Sequence, residues 1–126
     1  MPAMSLTAAN RALDWLMGKS PAQPVPPLQI ALLTDLGDDG NPGTEVAGGD
    51  YARQAFDMPP AVDRTTTHAT DLVWTGLPAA TIVGVEIWDS AEQPVLLWQA
   101  ALDAPQTVSE GGELKWPAGS LAMRMG

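Results

Sequence analysis

Residues that could carry out chemistry are few and scattered in this chain. His68 is the only histidine, and it lies in a threonine-rich segment, residues 64–70. No second histidine or pair of carboxylates lies near it in sequence, so we expect no catalytic base there. Asp57, Glu86 and Asp89 could serve a glycan-cleaving enzyme only if two of them met across a cleft. They belong to unrelated predicted elements, and the sequence therefore predicts no enzymatic activity.

The segment 35–43 concentrates carboxylates and glycines as a calcium-binding loop does. Its spacing does not fit an EF-hand: with Asp35 as the first position, the third is Gly37 and the twelfth is Val46 instead of a glutamate. Glu45 comes one place too early. Asp, Asn, Gly and Pro are also the residues that turns require, so we expect a polar surface loop without a metal or a cofactor. The chain has no cysteine, which excludes disulfides, thiolate metal sites and a cysteine nucleophile.

The segment 44–54 separates a helical and loop-rich first part of the chain from a strand-rich second part. Gly48 and Gly49 tolerate the positive φ that a sharp reversal of the backbone requires, and we expect this structural turn to launch a strand at Tyr51. Tyr51 and Arg53 would then share one face of the strand, where a phenol beside a guanidinium can stack and hydrogen-bond. Two interpretations stay open: a solvated edge strand, or a protein–protein interface with Tyr51 and Arg53 as contact residues.

Length and charge limit the class of protein. A chain of 126 residues, 45% of them hydrophobic, suffices for one compact domain with a core. The net charge is −9, from 15 acidic and 6 basic residues, and its field opposes binding to a phosphate backbone or an anionic membrane. No stretch reaches the length of a membrane span, and the amino terminus lacks the pattern of a secretion signal. We therefore expect neither nucleic acid nor a membrane as a partner.

The first predicted unit is an N-terminal helix and proline-rich arm, residues 1–27. A helix is predicted over residues 5–17, with Ser5 or Thr7 as its cap and Gly18 as a left-handed stop. Apolar residues recur on it at helical spacing: Leu6, Ala9, Leu13, Leu16 and Met17. Trp15 lies off this stripe, so it could pack on its own domain or form an interface with a second surface.

The second predicted unit is a β domain, residues 28–126, joined to the helix by a spacer in which four prolines favour an extended chain. Strands are predicted at residues 28–34, 51–56, 71–75, 81–88, 95–102, 106–109, 113–116 and 120–125. Short strands at this spacing predict a mainly β fold, an antiparallel sandwich or barrel-like body with one N-terminal α-helix. The five tryptophans suggest core or interface anchors, with carbohydrate stacking as the alternative.

Several sequence segments together suggest a family. They are GTEVAGGDYARQ (43–54), VEIWD (85–89), LDAPQTV (102–108), GGEL (111–114) and PAGSL (117–121). With the order of helix, proline spacer, apolar strand and acidic loop, they resemble a family of small virion proteins of tailed bacteriophages. Its members are described as tail-fiber-like or as head-decoration (capsid cement) proteins. The segment 89–94 departs from the family pattern because it lacks the glycine pair usual in that hairpin.

The resemblance implies a non-enzymatic structural protein of the virion, assembled in the cytoplasm of the bacterial host. We expect capsid decoration with the major capsid protein as partner, because a compact acidic body with an extended arm suits a protein that reaches over neighbouring subunits. The alternative is a tail or tail-fiber-associated structural or receptor-binding protein, although the chain lacks heptads or repeats for a long shaft. A homotrimer is also expected, since closed assembly buries the edges of sheets.

Overall fold

Short antiparallel strands dominate the fold. The computed structural model describes residues 3–38, 41–58, 60–63, 65–67, 71–117 and 122–124. In chain order the elements are β1 (Ala3–Met4), α1 (Leu6–Leu16), β2 (Leu28–Asp35), β3 (Thr44–Glu45), β4 (Gln54–Phe56), β5 (Thr65–Thr67), β6 (Leu72–Leu77), β7 (Ala80–Trp88), β8 (Leu96–Val108), β9 (Gly112–Trp116) and β10 (Ala122–Arg124). The predicted fold class, a mainly β body with one N-terminal helix, is confirmed.

Strand β2 lies in the interior of the main sheet, between β7 on one side and β3 and β4 on the other. Its continuous apolar run is buried on both faces, as expected for a strand without a polar side: Ile30, Ala31, Leu32 and Leu33 are at most 1% exposed. The sheet has the order β1-β8-β7-β2-β3, and β4 also pairs with β2. In the pairing of β2 with β7, Ile30 lies opposite Ile87 and Leu32 opposite Val85. These cross-strand pairs supply one side of the core.

Two small sheets accompany the main sheet, one made of β6 and β9 and the other of β5 and β10. The core cluster joins buried side chains of the main sheet to those of the β6–β9 pair: Ile30, Leu32, Val85, Ile87, Leu97, Leu72, Trp74, Leu77 and Leu114. Trp74 is 1% exposed and meets the ring of Trp116 edge-on, with the ring centroids 5.2 Å apart. Burial of these side chains from two layers gives the sandwich-like body.

Two predicted strand boundaries are wrong. The turn expected at residues 103–105 lies inside β8, because a large bulge accommodates the proline: Ile82 pairs with Gln106 but Gly84 pairs with Ala101. Pro105 has no N–H for the ladder, and a bulge leaves that position unpaired. The strand expected at Tyr51 begins instead at Gln54. Part of the strand predicted at 120–125 and the whole of His68 lie outside the described residues.

The acidic loop after β2 folds back onto the main sheet. Glu86, in the middle of β7, is 2% exposed, and its Oε2 accepts hydrogen bonds from Gly43 N–H at 2.7 Å and from Gln99 Nε2 at 3.2 Å. Gln99 Nε2 also donates to the carbonyl of Asn41 at 2.8 Å. A Cβ on Gly84 would lie 2.5 Å from Leu36 Cδ2, so the glycine leaves room for that side chain. The loop therefore covers the outer side of the sheet.

The described part of the chain contains neither a cluster of metal-binding side chains nor a membrane-spanning helix. No three His, Cys, Asp or Glu side chains in it lie together as a metal site would require. No helix in it has the length and apolar character needed to cross a membrane.

Candidate interaction surface

The arm is fixed to the β body at its N-terminal end. Strand β1 adds two residues to the free edge of β8. Ser5 follows and is 2% exposed; its N–H donates to Leu97 O at 2.8 Å and its Oγ to Leu96 O at 2.5 Å. The same Oγ accepts a hydrogen bond from Ala8 N–H at 3.1 Å, so Ser5 is also the N-cap of α1. These bonds set the direction in which the helix leaves the sheet.

Helix α1 turns its most apolar side away from the body. None of its residues is buried. The exposed fractions are 60% for Leu6, 58% for Leu13, 59% for Leu16 and 72% for Met17, which follows the helix directly. We call these four residues together with Ala9 the outer face of α1. Large apolar side chains that stay in contact with water over a whole helix face indicate a surface that binds another molecule.

The opposite side of α1 lines a cleft of about 790 Å³. Ala8, Arg11, Ala12 and Trp15 come from the helix, and the extended segment 18–24 and β8 complete the walls. Trp15 is 66% exposed even there. An apolar stripe on a helix usually packs on the body of the protein. In α1 the leucines of the stripe face outward instead, and Trp15 lies on the side of the helix that faces the body. An interface role for Trp15 stays a prediction.

Glu45 lies at the centre of a polar cluster on the other edge of the sheet. Its carboxylate accepts hydrogen bonds from Tyr51 Oη at 2.5 Å, from Arg53 Nη2 at 3.0 Å and from Arg53 Nε at 3.1 Å. Tyr51 Oη in turn accepts from Leu32 N–H at 3.0 Å. The guanidinium of Arg53 lies over the ring of Trp88, 4.7 Å from its centroid. A carboxylate paired with a guanidinium in this forked way has little freedom to move.

Tyr51 and Arg53 keep their protons at neutral pH. Burial, followed by the hydrogen bond to Glu45, raises the pKa of Tyr51 well above its usual range. The hydrogen bond to Glu45 raises the pKa of Arg53 as well, against the opposing effect of its burial. Tyr51 therefore stays a neutral donor and Arg53 a cation, so the arrangement is suited to holding the loop in place and not to acid–base catalysis.

The loop that carries Tyr51 and Arg53 has the backbone that its glycines suggest. Gly48 and Gly49 adopt φ values of 108° and 57°. Asp50 N–H donates to Gly76 O at 2.8 Å, which ties the loop to β6 in the second layer. Tyr51 Oη and the Nε and Nη2 atoms of Arg53 bind Glu45 within the chain. Their role as contact residues of an interface with another subunit stays a prediction.

A comparison with models of protein families identifies the relationship. The model described as podophage GP4 fiber I protein gp80 matches residues 3–124, from β1 to β10. The chain belongs to this family. No curated protein matches the chain. The membership confirms the resemblance to small virion proteins of tailed phages and makes the chain a structural component of the phage particle.

In this member of the gp80 family, the hairpin turn at residues 89–94, which contains no glycine, is held by Asp89. The side chain is 1% exposed and accepts hydrogen bonds from Val95 N–H at 2.8 Å, Ala91 N–H at 3.3 Å and Val25 N–H at 3.3 Å. Burial alone would raise the pKa of Asp89, but the three backbone hydrogen bonds, with help from the charge of Arg11, lower it below the usual 3.8. One carboxylate thus joins the turn to the end of the arm.

We expect Glu45→Ala to lower the free energy of unfolding of this gp80-family protein by about 1–3 kcal/mol, because Tyr51 and Arg53 would lose their shared partner. The expected loss of stability is smaller than for a fully buried ion pair, because the Arg53 and Glu45 side chains are 27% and 28% exposed and water screens their charges. Urea unfolding measures the change.

The matched control for Glu45→Ala is Lys115→Ala. Lys115 pairs with Asp71 at 3.5 Å, and both side chains are about half exposed. We expect this variant to change the stability by at most about 0.5 kcal/mol. Equal effects of the two variants would show that the Glu45 cluster contributes no more than a surface ion pair.

Proposed function

We propose that this protein is a structural subunit of a phage tail fiber that acts through protein–protein contacts and has no enzymatic activity. The family description, which names a fiber protein, supports the tail as its location. In this proposal the partner is another subunit of the tail fiber, in place of the major capsid protein that the sequence led us to expect. Nucleic acid and membranes are not proposed partners, because the chain carries a net charge of −9.

The observation that carries the proposal is the outer face of α1. Three leucines of one short helix, and Met17 directly after it, are each more than half exposed. Covering them would remove apolar area from water, which is the main favourable term in protein association. The helix is already capped by Ser5 and fixed through β1, so little conformational entropy is lost when it binds. The arm is therefore the proposed attachment element of the subunit.

The positions of the acidic side chains support a structural role without catalysis. Glu86 and Asp89, which a glycan-cleaving enzyme could have used, accept hydrogen bonds from backbone N–H groups. Both are at most 2% exposed. A carboxylate held in this way by the fold is poorly placed to reach a substrate.

The proposal predicts that Leu13→Glu removes the protein from virions. The substitution places a charge at the middle of the outer face, and we expect its amount in purified particles, measured by mass spectrometry relative to the major capsid protein, to fall about tenfold or more. Thr7→Glu adds the same charge to the exposed flank of α1 and should leave the amount unchanged. Normal incorporation of folded Leu13→Glu would show that the outer face is not used for attachment.

A second measurement tests the location. Electron microscopy of virions that carry a labelled copy of the protein should show the label at the tail. A label confined to the capsid shell would contradict the fiber role and restore capsid decoration.

A further inference from the structure

We infer that the outer face of α1 binds the outer face of α1 in a second copy of this chain. The inference rests on the proposed function, because it names the subunit that the attachment element contacts. Leu6, Ala9, Leu13 and Leu16 follow one another at intervals of three, four and three residues. This is the spacing at which helices pair side by side with interlocking side chains. Four such positions are too few for a fiber shaft but enough for one contact between neighbouring helices.

The distribution of charge favours a second copy at this place. Residues 1–27 carry Arg11 and Lys19 against Asp14, a net charge of +1, whereas the rest of the chain has a net charge of −10. Two bodies with this charge repel each other strongly, while two arms, each with a net charge of +1, repel each other only weakly. The arm is therefore the part of the chain where another copy can approach with the least electrostatic repulsion.

The outer face itself carries no charged side chain. Its five residues are apolar, and Arg11 lies on the opposite side of the helix in the cleft. Two exposed polar side chains border it: Asn10, one turn before Leu13, and Asp14, one turn before Met17. A pair of faces that leaves these two side chains at its solvated rim would bury no charge.

The attachment of α1 to the body also makes pairing between two such short helices feasible. An isolated helix of 11 residues is marginal in water because nucleation is costly. Here Ser5 caps the helix, β1 fixes its beginning on β8, and Gly18 ends it with φ 85°. Two copies can pair without first ordering their helices, which is the condition under which a small apolar contact binds.

Disulfide trapping tests the contact directly, since the chain has no cysteine of its own. Under mild oxidation, purified Ala9→Cys protein should form a covalent dimer if the helices run parallel. If they run antiparallel, the dimer should form when Ala9→Cys and Leu13→Cys proteins are mixed. Thr7→Cys, on the flank of the helix, is the matched control and should react much more slowly in either arrangement.

Light scattering on the unmodified protein provides the second readout. The mass should rise with concentration from that of one chain to that of an oligomer, and Leu13→Glu should raise the dissociation constant about tenfold or more. Circular dichroism of Leu13→Glu must match that of the unmodified protein, so that a folding defect is not mistaken for lost pairing. Thr7→Glu should associate normally.

The outcomes separate this inference from the proposed function. A protein that stays monomeric at every concentration, with Ala9→Cys and the mixed proteins reacting no faster than Thr7→Cys, overturns pairing between copies. If Leu13→Glu is still lost from virions in that case, the outer face binds a different tail protein and the proposed function holds. Pairing in solution together with a label on the capsid shell would instead keep the inference and overturn the fiber role.

Discussion

Gly49→Ala should destabilise this protein by about 3–5 kcal/mol, because the substitution combines backbone strain with a collision. Gly49 has φ 57°, a conformation that costs any residue with a Cβ. An added Cβ would also lie 2.5 Å from Gly76 O and 3.0 Å from Pro78 N. Both are backbone atoms, and Gly76 O already accepts a hydrogen bond from Asp50 N–H. Neither can move away without loosening the contact between the two layers.

Gly111→Ala separates the two contributions. Gly111 has φ 77° in the turn between β8 and β9, and a Cβ there would meet no atom within 4 Å. We expect a loss of only about 1–2 kcal/mol, due to strain alone. Urea unfolding of both variants gives the comparison. Equal losses would mean that the loop at Gly49 shifts freely, and that its contact with Gly76 contributes nothing to stability.

Local signals made the helix predictable. Ser5 and Gly18 terminate it through bonds and backbone angles that involve only neighbouring residues, and the observed helix differs from the predicted one by a single residue at each end. Strand β2 was equally predictable, because a continuous apolar run between prolines and acidic turn residues is typical of a buried strand.

The orientation of the helix could not be predicted from its pattern. An apolar stripe on a helix usually faces the core, and Trp15, off the stripe, was the residue to suspect of an outside contact. The rotation of α1 is instead determined by the pairing of β1 with β8 and by the bonds of Ser5 to Leu96 and Leu97. Those partners lie more than 90 residues away, and nothing near Ser5 in sequence indicates them.

The hydrogen-bond partners in the polar clusters could not be predicted from the sequence either. Tyr51 and Arg53 stood out as a pair, but their partner Glu45 lies across the Gly48–Gly49 turn, and only the folded loop brings it within 3.0 Å of Arg53. Glu86 did carry a signal, because a charged residue in the middle of an apolar strand must find buried donors. Its donors, Gly43 and Gln99, come from two other elements and could not be named in advance.

Asp89→Ala should lower the free energy of unfolding at neutral pH by about 3–5 kcal/mol, since three backbone N–H groups lose a charged acceptor at a buried site. Val95 and Val25 come from the hairpin and from the end of the arm, so the loss should also loosen the joint between them. Amide hydrogen exchange should show faster exchange at both residues. Asp89→Asn keeps the size of the side chain and one acceptor oxygen, and should cost about 1–3 kcal/mol.

The pH dependence of stability distinguishes the charge of Asp89 from its capacity to accept hydrogen bonds. The pKa of Asp89 is lower in the folded protein than its usual 3.8, so the carboxylate stabilises the fold above that pH and loses this contribution as the pH falls through its folded value. The difference in stability between the unmodified protein and Asp89→Asn should therefore be constant near neutral pH and shrink in acid below about 3.8. A difference that stays the same down to the lowest pH at which both proteins fold would show that the second acceptor oxygen, and not the charge, accounts for the role of Asp89.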